Sequence, residues 1–164
     1  MLVEEESGLT LPEASIIIEY LDRHYPGPQP MLPSDPDLLL EVRLLDRFFD
    51  NYPHASVQTI AGDRPRDAEC RDVQGVEEAR AMLNTCYAWL QARMTDPVWA
   101  VGAGFTLADC AAAPALFYAD WVHPIGDAFP NLAAYRAPRL ARPSVKRAVD
   151  DAPPLRTLFP GRRA

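Results

Sequence analysis

The segment Phe105 to Asp120, reading FTLADCAAAPALFYAD, constrains the fold more than any other stretch of the chain. Beyond Asp109 nearly every side chain is apolar and five are alanines. A helix there offers no polar face to water, so it belongs at the centre of a helical bundle with neighbours packed close on every side. Its start is written into the sequence. Thr106 precedes Asp109 by three residues, the spacing of a capping box in which hydroxyl and carboxylate satisfy each other's backbone amide, here with Asp in place of the usual Glu or Gln. Phe105 is placed to staple against Cys110, and Pro114 is expected to kink the helix.

At 164 residues and 48% hydrophobic composition the chain has material for one sizeable core, burying about 70% of its unfolded surface without disulfide or metal support. Its net charge of -7 disfavours nucleic acid and anionic membrane surfaces as partners. Positive charge collects in the last 29 residues, eight bases against two acids, with no interleaved aromatics, which reads as a structural tail. Cys70, Cys86 and Cys110 form no CxxC pair and suit a reducing compartment, so a cytoplasmic location is expected. No segment has the length and apolarity to span a membrane.

Leu2-Val3 and Leu9-Thr10-Leu11, joined through Ser7-Gly8, form a β-hairpin. Two strands alone are marginal in water, and the adjacent Glu4, Glu5 and Glu6 repel one another, so this hairpin calls for more sheet than the sequence holds. Pro12 fits a first helical position, and Ile16, Ile17, Tyr20 and Leu21 mark a buried stripe running to about His24. From Tyr25 to Pro36 five prolines and a glycine fall within twelve residues, a composition too stiff and donor-poor for anything but a linker.

A helix follows from about Asp37 to Tyr52 with two apolar stripes, Leu38, Val42, Leu45, Phe49 and Tyr52 on one side and Leu40, Leu44 and Phe48 beside it. The second stripe packs either in a wide internal contact or against a second copy of the chain, which makes a homodimer the expectation. Val76 through Met94 repeat with helical period over a helix from Asp72 to Met94. After the central apolar helix, Pro130 and Pro143 open two shorter helices, with Pro138 interrupting between them.

The chemistry on offer is sparse. His24, His54 and His123 lie far apart without ligand spacing, so no metal site is expected. There is no nucleophile elbow and no glycine-rich phosphate loop. Cys110, set in an apolar helix, reads as an inert thiol, and capping accounts for Asp109 better than general-base chemistry does. One constellation remains. Glu13, Ala14 and Ser15 sit where the hairpin delivers the chain into a helix N-terminus, where free amides favour a carboxylate and Glu13 can accept an ammonium group. That pairing suits an amino-acid-like ligand.

Taken together, LTLPEASIIIEYLDRHYP, the proline-rich linker, GFTLADCAAAP and FPNLAAYRAPRLARPSVKRAV resemble the glutathione S-transferase family, in the family's order and over nearly the whole chain. The resemblance implies a mainly α fold: residues 1–26 a remnant of the thioredoxin-like glutathione-binding domain, 27–36 the linker, and 37–164 the all-helical C-terminal domain. It implies glutathione as co-substrate, its thiolate attacking a small apolar electrophile in a detoxifying transfer. Glu13 matches the acid that meets the γ-glutamyl ammonium, and Ala14 stands where the family has serine, with Ser15 one position later. By analogy Arg43, Arg47, Phe48, Tyr52, Tyr118 and Trp121 are candidates for the electrophile pocket. No catalytic residue is assigned, because the family's Ser, Cys or Tyr lies in an earlier βαβ unit without a counterpart here. The chain is therefore expected to be an N-terminally truncated piece of a longer transferase, inactive or very weak by itself. The alternative is a non-catalytic binding or structural module with the same helical fold.

Overall fold

The computed structural model describes residues 1–95 and 98–151. Strands β1 (Leu2–Val3) and β2 (Thr10–Leu11) pair antiparallel, Leu2 opposite Leu11 and Val3 opposite Thr10. The reversal needs a left-handed residue, and Gly8 supplies it at φ 71°. The hairpin is pinned to helix α1 (Ala14–His24) by Glu4, whose carboxylate accepts the Tyr20 hydroxyl at 2.7 Å and the Ser7 hydroxyl. These bonds hold the Glu4 carboxyl below its ordinary range and push Tyr20 up to about 12.

Helix α1 begins later than its sequence suggests. Pro12 lies outside it, and Glu13 is the N-cap in extended conformation, φ -91° and ψ 131°. The residue before the helix has to leave helical space for the chain to turn in from the hairpin. The proline-rich segment then crosses to the helical part and is fastened at Met31 and Leu32 to both α1 and the start of the central helix. Asp22 accepts the amides of Met31 and Leu32 at 2.9 and 3.1 Å, and Leu107 donates its amide to the Met31 carbonyl at 2.9 Å.

Helix α2 (Pro36–Phe49) starts at an Asp35 cap that accepts the amides of Asp37 and Leu38. The stop expected at Tyr52 does not occur. The chain passes through a π turn, Asp50–His54, and continues as α3 (Ala55–Asp63). Pro53 lacks the amide that an α-helical bond would need, and the wider π turn absorbs the defect, so the proline marks a bulge rather than an end. Helix α4 (Val73–Arg93) runs alongside, capped by Asp72 on the Gly75 amide at 2.8 Å.

Helix α5 (Leu107–Val122) occupies the centre and continues through Pro114. Ala108, Asp109, Ala112, Leu116 and Ala119 are wholly buried there. Its alanines let α2 approach closely, and the two pack more extensively than any other pair of elements. Val42, Leu45 and Phe49 of α2 and Leu83, Tyr87 and Leu90 of α4 complete the same core. Helices α6 (Pro130–Ala141) and α7 (Pro143–Asp150) close the bundle. The break between them falls at Arg142, φ -59° and ψ 131°, not at Pro138, which lies inside α6. Arg142 precedes Pro143 and is forced out of helical space by it. The architecture is mainly α with one small hairpin, as the sequence implies; the basic residues beyond Asp151 lie outside the described residues.

Candidate functional site

Three elements distant in sequence meet at a cleft of about 230 Å³: the N-terminus of α1, the outer turn of α2 with the π turn, and one stripe of α5. From α1 come Glu13, Ala14, Ser15 and Ile18. The Glu13 side chain makes no capping bond to its own helix. The first-turn amides of α1 therefore face the cleft without an intrahelical acceptor, and the helix dipole adds partial positive charge there. A carboxylate fits against those amides, and the Glu13 carboxylate beside them fits an ammonium group.

The opposite wall repeats at helical spacing: Asp46, Asp50 and His54, with Phe49 between them. Asp46 is 5% exposed, and both of its carboxylate oxygens are hydrogen-bonded, as burial of so polar a group requires. Ser15 Oγ donates to its Oδ1 at 2.8 Å, and Arg47 donates to its Oδ2 through Nε at 3.1 Å and Nη2 at 2.8 Å. Arg47 Nη2 also donates to Ser15 Oγ at 3.1 Å, closing a triangle that ties α1 to α2. The Asp46 hydrogen bond, followed by its charge and more weakly those of Asp50 and Glu13, raises the Arg47 guanidinium above its ordinary value. Asp50 stands 3.7 Å from the same guanidinium. His54 Nε2 is 3.1 Å from the Gln58 side-chain amide, one turn further on.

The cleft floor is apolar, formed by Leu107, Cys110, Ala111, Pro114 and Ala115 of α5. Its position depends on the cap of α5. Asp109 Oδ2 accepts the Thr106 amide at 3.1 Å and the Thr106 hydroxyl at 3.4 Å. Phe105 packs edge-on against Trp99 at 5.8 Å. Asp109 does more than cap: its Oδ1 accepts from the Ala100 amide at 3.1 Å, Tyr135 Oη at 3.0 Å and Arg139 Nε at 2.9 Å. Burial pushes the Cys110 thiol up to about 11, so it offers no thiolate at neutral pH.

Glu13, Ala14 and Ser15 line this cleft, whereas Arg43, Arg47, Phe48, Tyr52, Tyr118 and Trp121 are not among its lining residues. Arg47 sits at its rim. Arg43 pairs with Glu19 at 2.9 Å on the far side of α1. Phe48 stacks on Trp89 at 4.4 Å and contacts Tyr52 at 5.5 Å, on the outer face of α2. Tyr118 and Trp121 form their own cluster with Phe117 further along α5. The residues that do line the cleft, Asp46, Phe49, Asp50, His54, Cys110 and Pro114, carry a weak sequence signal: a fourfold polar spacing on α2 that continues across Pro53. Among the described residues no group of His, Cys, Asp and Glu is arranged to hold a metal ion, and no helix is long and apolar enough to cross a membrane.

A family model for the C-terminal domain of glutathione S-transferases matches residues 73–137. Among solved structures, a glutathione S-transferase from Methylobacterium radiotolerans JCM 2831, in complex with glutathione sulfonate, is 32% identical, with 86% of this chain and 67% of that one aligned and a TM-score of 0.72. One from Methylobacillus flagellatus KT, with glutathione bound, is 25% identical over 87% and 71% of the two chains, TM-score 0.75. The glutathione transferase URE2P8 of Phanerochaete chrysosporium shares the fold at TM-score 0.79 with 17% identity, over 93% and 70% of the two chains. Among curated proteins nothing matches.

Proposed function

This chain belongs to the glutathione S-transferase family, and from that premise we propose that its cleft holds the γ-glutamyl end of glutathione beside an apolar wall for an electrophile. The observation carrying this reading is the juxtaposition of Glu13 with the uncapped first turn of α1 at one end of the cleft. Glu13 takes the γ-glutamyl ammonium, and the Ala14 and Ser15 amides take the α-carboxylate. Glutathione complexes among the similar structures support the same ligand. The tripeptide then extends toward the α5 floor, where an apolar electrophile is shielded from water. There the thiolate forms a carbon–sulfur bond and the leaving group departs with its electron pair.

The cleft supplies binding more clearly than thiol activation. Ser15 Oγ is committed to Asp46, and the raised Cys110 thiol cannot act as an anionic nucleophile at neutral pH. Ala14 brings no hydroxyl to the carboxylate. The 164 residues by themselves are accordingly read as binding glutathione with negligible turnover, residues 1–26 acting as the glutathione-binding half, 27–36 as linker and the helices from 37 onward as the electrophile wall. The non-catalytic alternative, a binding module with this fold, draws on the same substitution of Ala14. We assign the protein to the cytoplasm, on its unpaired thiols, and to a homodimer built on the outer face of α2, where Leu40 is 69% and Leu44 52% exposed.

Titration calorimetry with reduced glutathione tests this. Saturable binding, weakened roughly tenfold or more in Glu13→Gln and strengthened in Ala14→Ser, is the expected result. Chlorodinitrobenzene conjugation should stay near the uncatalysed rate. Absence of binding by the unmodified chain, or equal affinity in Glu13→Gln, overturns the reading.

A further inference from the structure

The cleft carries a charge imbalance that glutathione by itself does not relieve. Three carboxylates, Glu13, Asp46 and Asp50, line it, and among the described lining residues there is no Lys or Arg. Asp46 is matched by its hydrogen bonds from Ser15 and from Arg47 at the rim. Asp50 has no such match. Arg47 Nη2 carries two hydrogens, and these go to Asp46 Oδ2 and Ser15 Oγ, so its 3.7 Å approach to Asp50 Oδ2 is an ion pair without a hydrogen bond. Among the described residues nothing donates a hydrogen bond to the Asp50 carboxylate, whose side chain is 54% exposed. The floor beside it, Leu107, Ala111 and Pro114, is apolar, and the Thr106–Asp109 box already caps the α5 N-terminus that would otherwise offer an anion partner.

On the glutathione reading, on which this inference rests, the γ-glutamyl ammonium is taken up by Glu13 and the α-carboxylate by the α1 amides, and Asp50 stays unbalanced. A carboxylate at the edge of an apolar wall attracts a cation more strongly than it would in open water, and a net charge of -7 biases the field of the whole chain in the same direction. We infer that Asp50 determines electrophile specificity: the cleft favours an electrophile whose hydrocarbon body rests on the α5 floor and whose cationic group, such as a primary ammonium, meets the Asp50 carboxylate. Electrophiles with a carboxylate in that position are disfavoured. Asp50 recognises the charge and takes no part in making the carbon–sulfur bond.

Titration calorimetry at low ionic strength tests it with three stable thioethers of glutathione, bearing a 4-(aminomethyl)benzyl, a 4-(hydroxymethyl)benzyl or a 4-carboxybenzyl group on sulfur. The ammonium conjugate should bind roughly threefold tighter than the hydroxymethyl one, and the carboxylate conjugate weaker by a similar factor. Taken relative to the hydroxymethyl conjugate in the same protein, both differences should vanish in Asp50→Asn, persist in Asp50→Glu and shrink at high salt, a pattern that a purely structural role would not produce. The same ordering in Asp50→Asn as in the unmodified chain, an ordering insensitive to salt, or equal affinity for all three conjugates overturns the inference; in each of these cases reduced glutathione that still binds, and binds less well to Glu13→Gln, leaves the glutathione reading standing. Failure of the conjugates and of reduced glutathione alike to bind overturns both.

Discussion

Asp109 shows how one side chain joins a local signal to a distant one. Its capping half is legible in the sequence, since Thr106 and Asp109 are three residues apart and the structure has the box. The other half comes from Arg139, thirty positions onward, which is 1% exposed and lies with its guanidinium over the Tyr135 ring at 3.4 Å. Periodicity places Arg139 only in a basic tail; nothing in spacing announces that it turns inward to a buried carboxylate. A buried pair gains little over apolar packing, but removing one member strands the other's charge in the core. Asp109→Asn should therefore cost about 3–5 kcal/mol, against about 1 kcal/mol for Thr106→Ala. Urea denaturation compares the two, and equal costs would reduce Asp109 to a cap. The neighbouring Tyr135 hydroxyl, raised well above its ordinary value by burial and by the Asp109 charge, stays a donor throughout the accessible pH range.

Helix α2 carries two faces with different fates. Val42, Leu45 and Phe49 are wholly buried against α5, while Leu40 and Leu44 remain exposed beside a Phe48–Trp89 stack that Arg93 covers at 5.1 Å from the indole. Arg93 in turn pairs with Glu41. Both stripes are legible as helical periods. On the proposed homodimer, Leu40→Glu/Leu44→Glu places charge in the interface and should shift sedimentation from dimer to monomer with little change in helical content. Identical sedimentation of the two proteins would remove this face from the assembly. The end of α2 was not legible, because a proline after Tyr52 is ordinarily a stop. A π turn lets the helix pass Pro53 and extends the polar series from Asp46 and Asp50 to His54, which is how a histidine without sequence neighbours of its kind reaches the cleft.

Across the whole molecule, the parts legible in the sequence are those encoded within a dozen residues, the hairpin, the Thr106–Asp109 box and the periods of the core helices, whereas Ile16 and Leu21 of the expected α1 stripe are exposed. The cleft is a different kind of object. Its α1 contribution, Glu13 to Ser15, is contiguous and was identifiable from the chain entering a helix N-terminus. Its α2 and α5 walls depend on how those two helices cross, with alanines of α5 at the contact, while the Ser15–Asp46–Arg47 triangle holds α1 against α2. Arg47, Phe48 and Tyr52 lie one or two positions from residues that line the cleft, and Arg43, Tyr118 and Trp121 three to six positions away, because chain order alone does not fix which face of a helix meets the space. The claim on which the account rests is that glutathione enters at the α1 N-terminus. Backbone amide shifts of isotopically labelled protein, followed during titration with reduced glutathione, test it most directly. The account predicts saturable shifts at Ala14 and Ser15 and at Asp46 and Asp50 across the cleft; saturating shifts confined to other parts of the bundle, or none at Ala14 and Ser15, would contradict it.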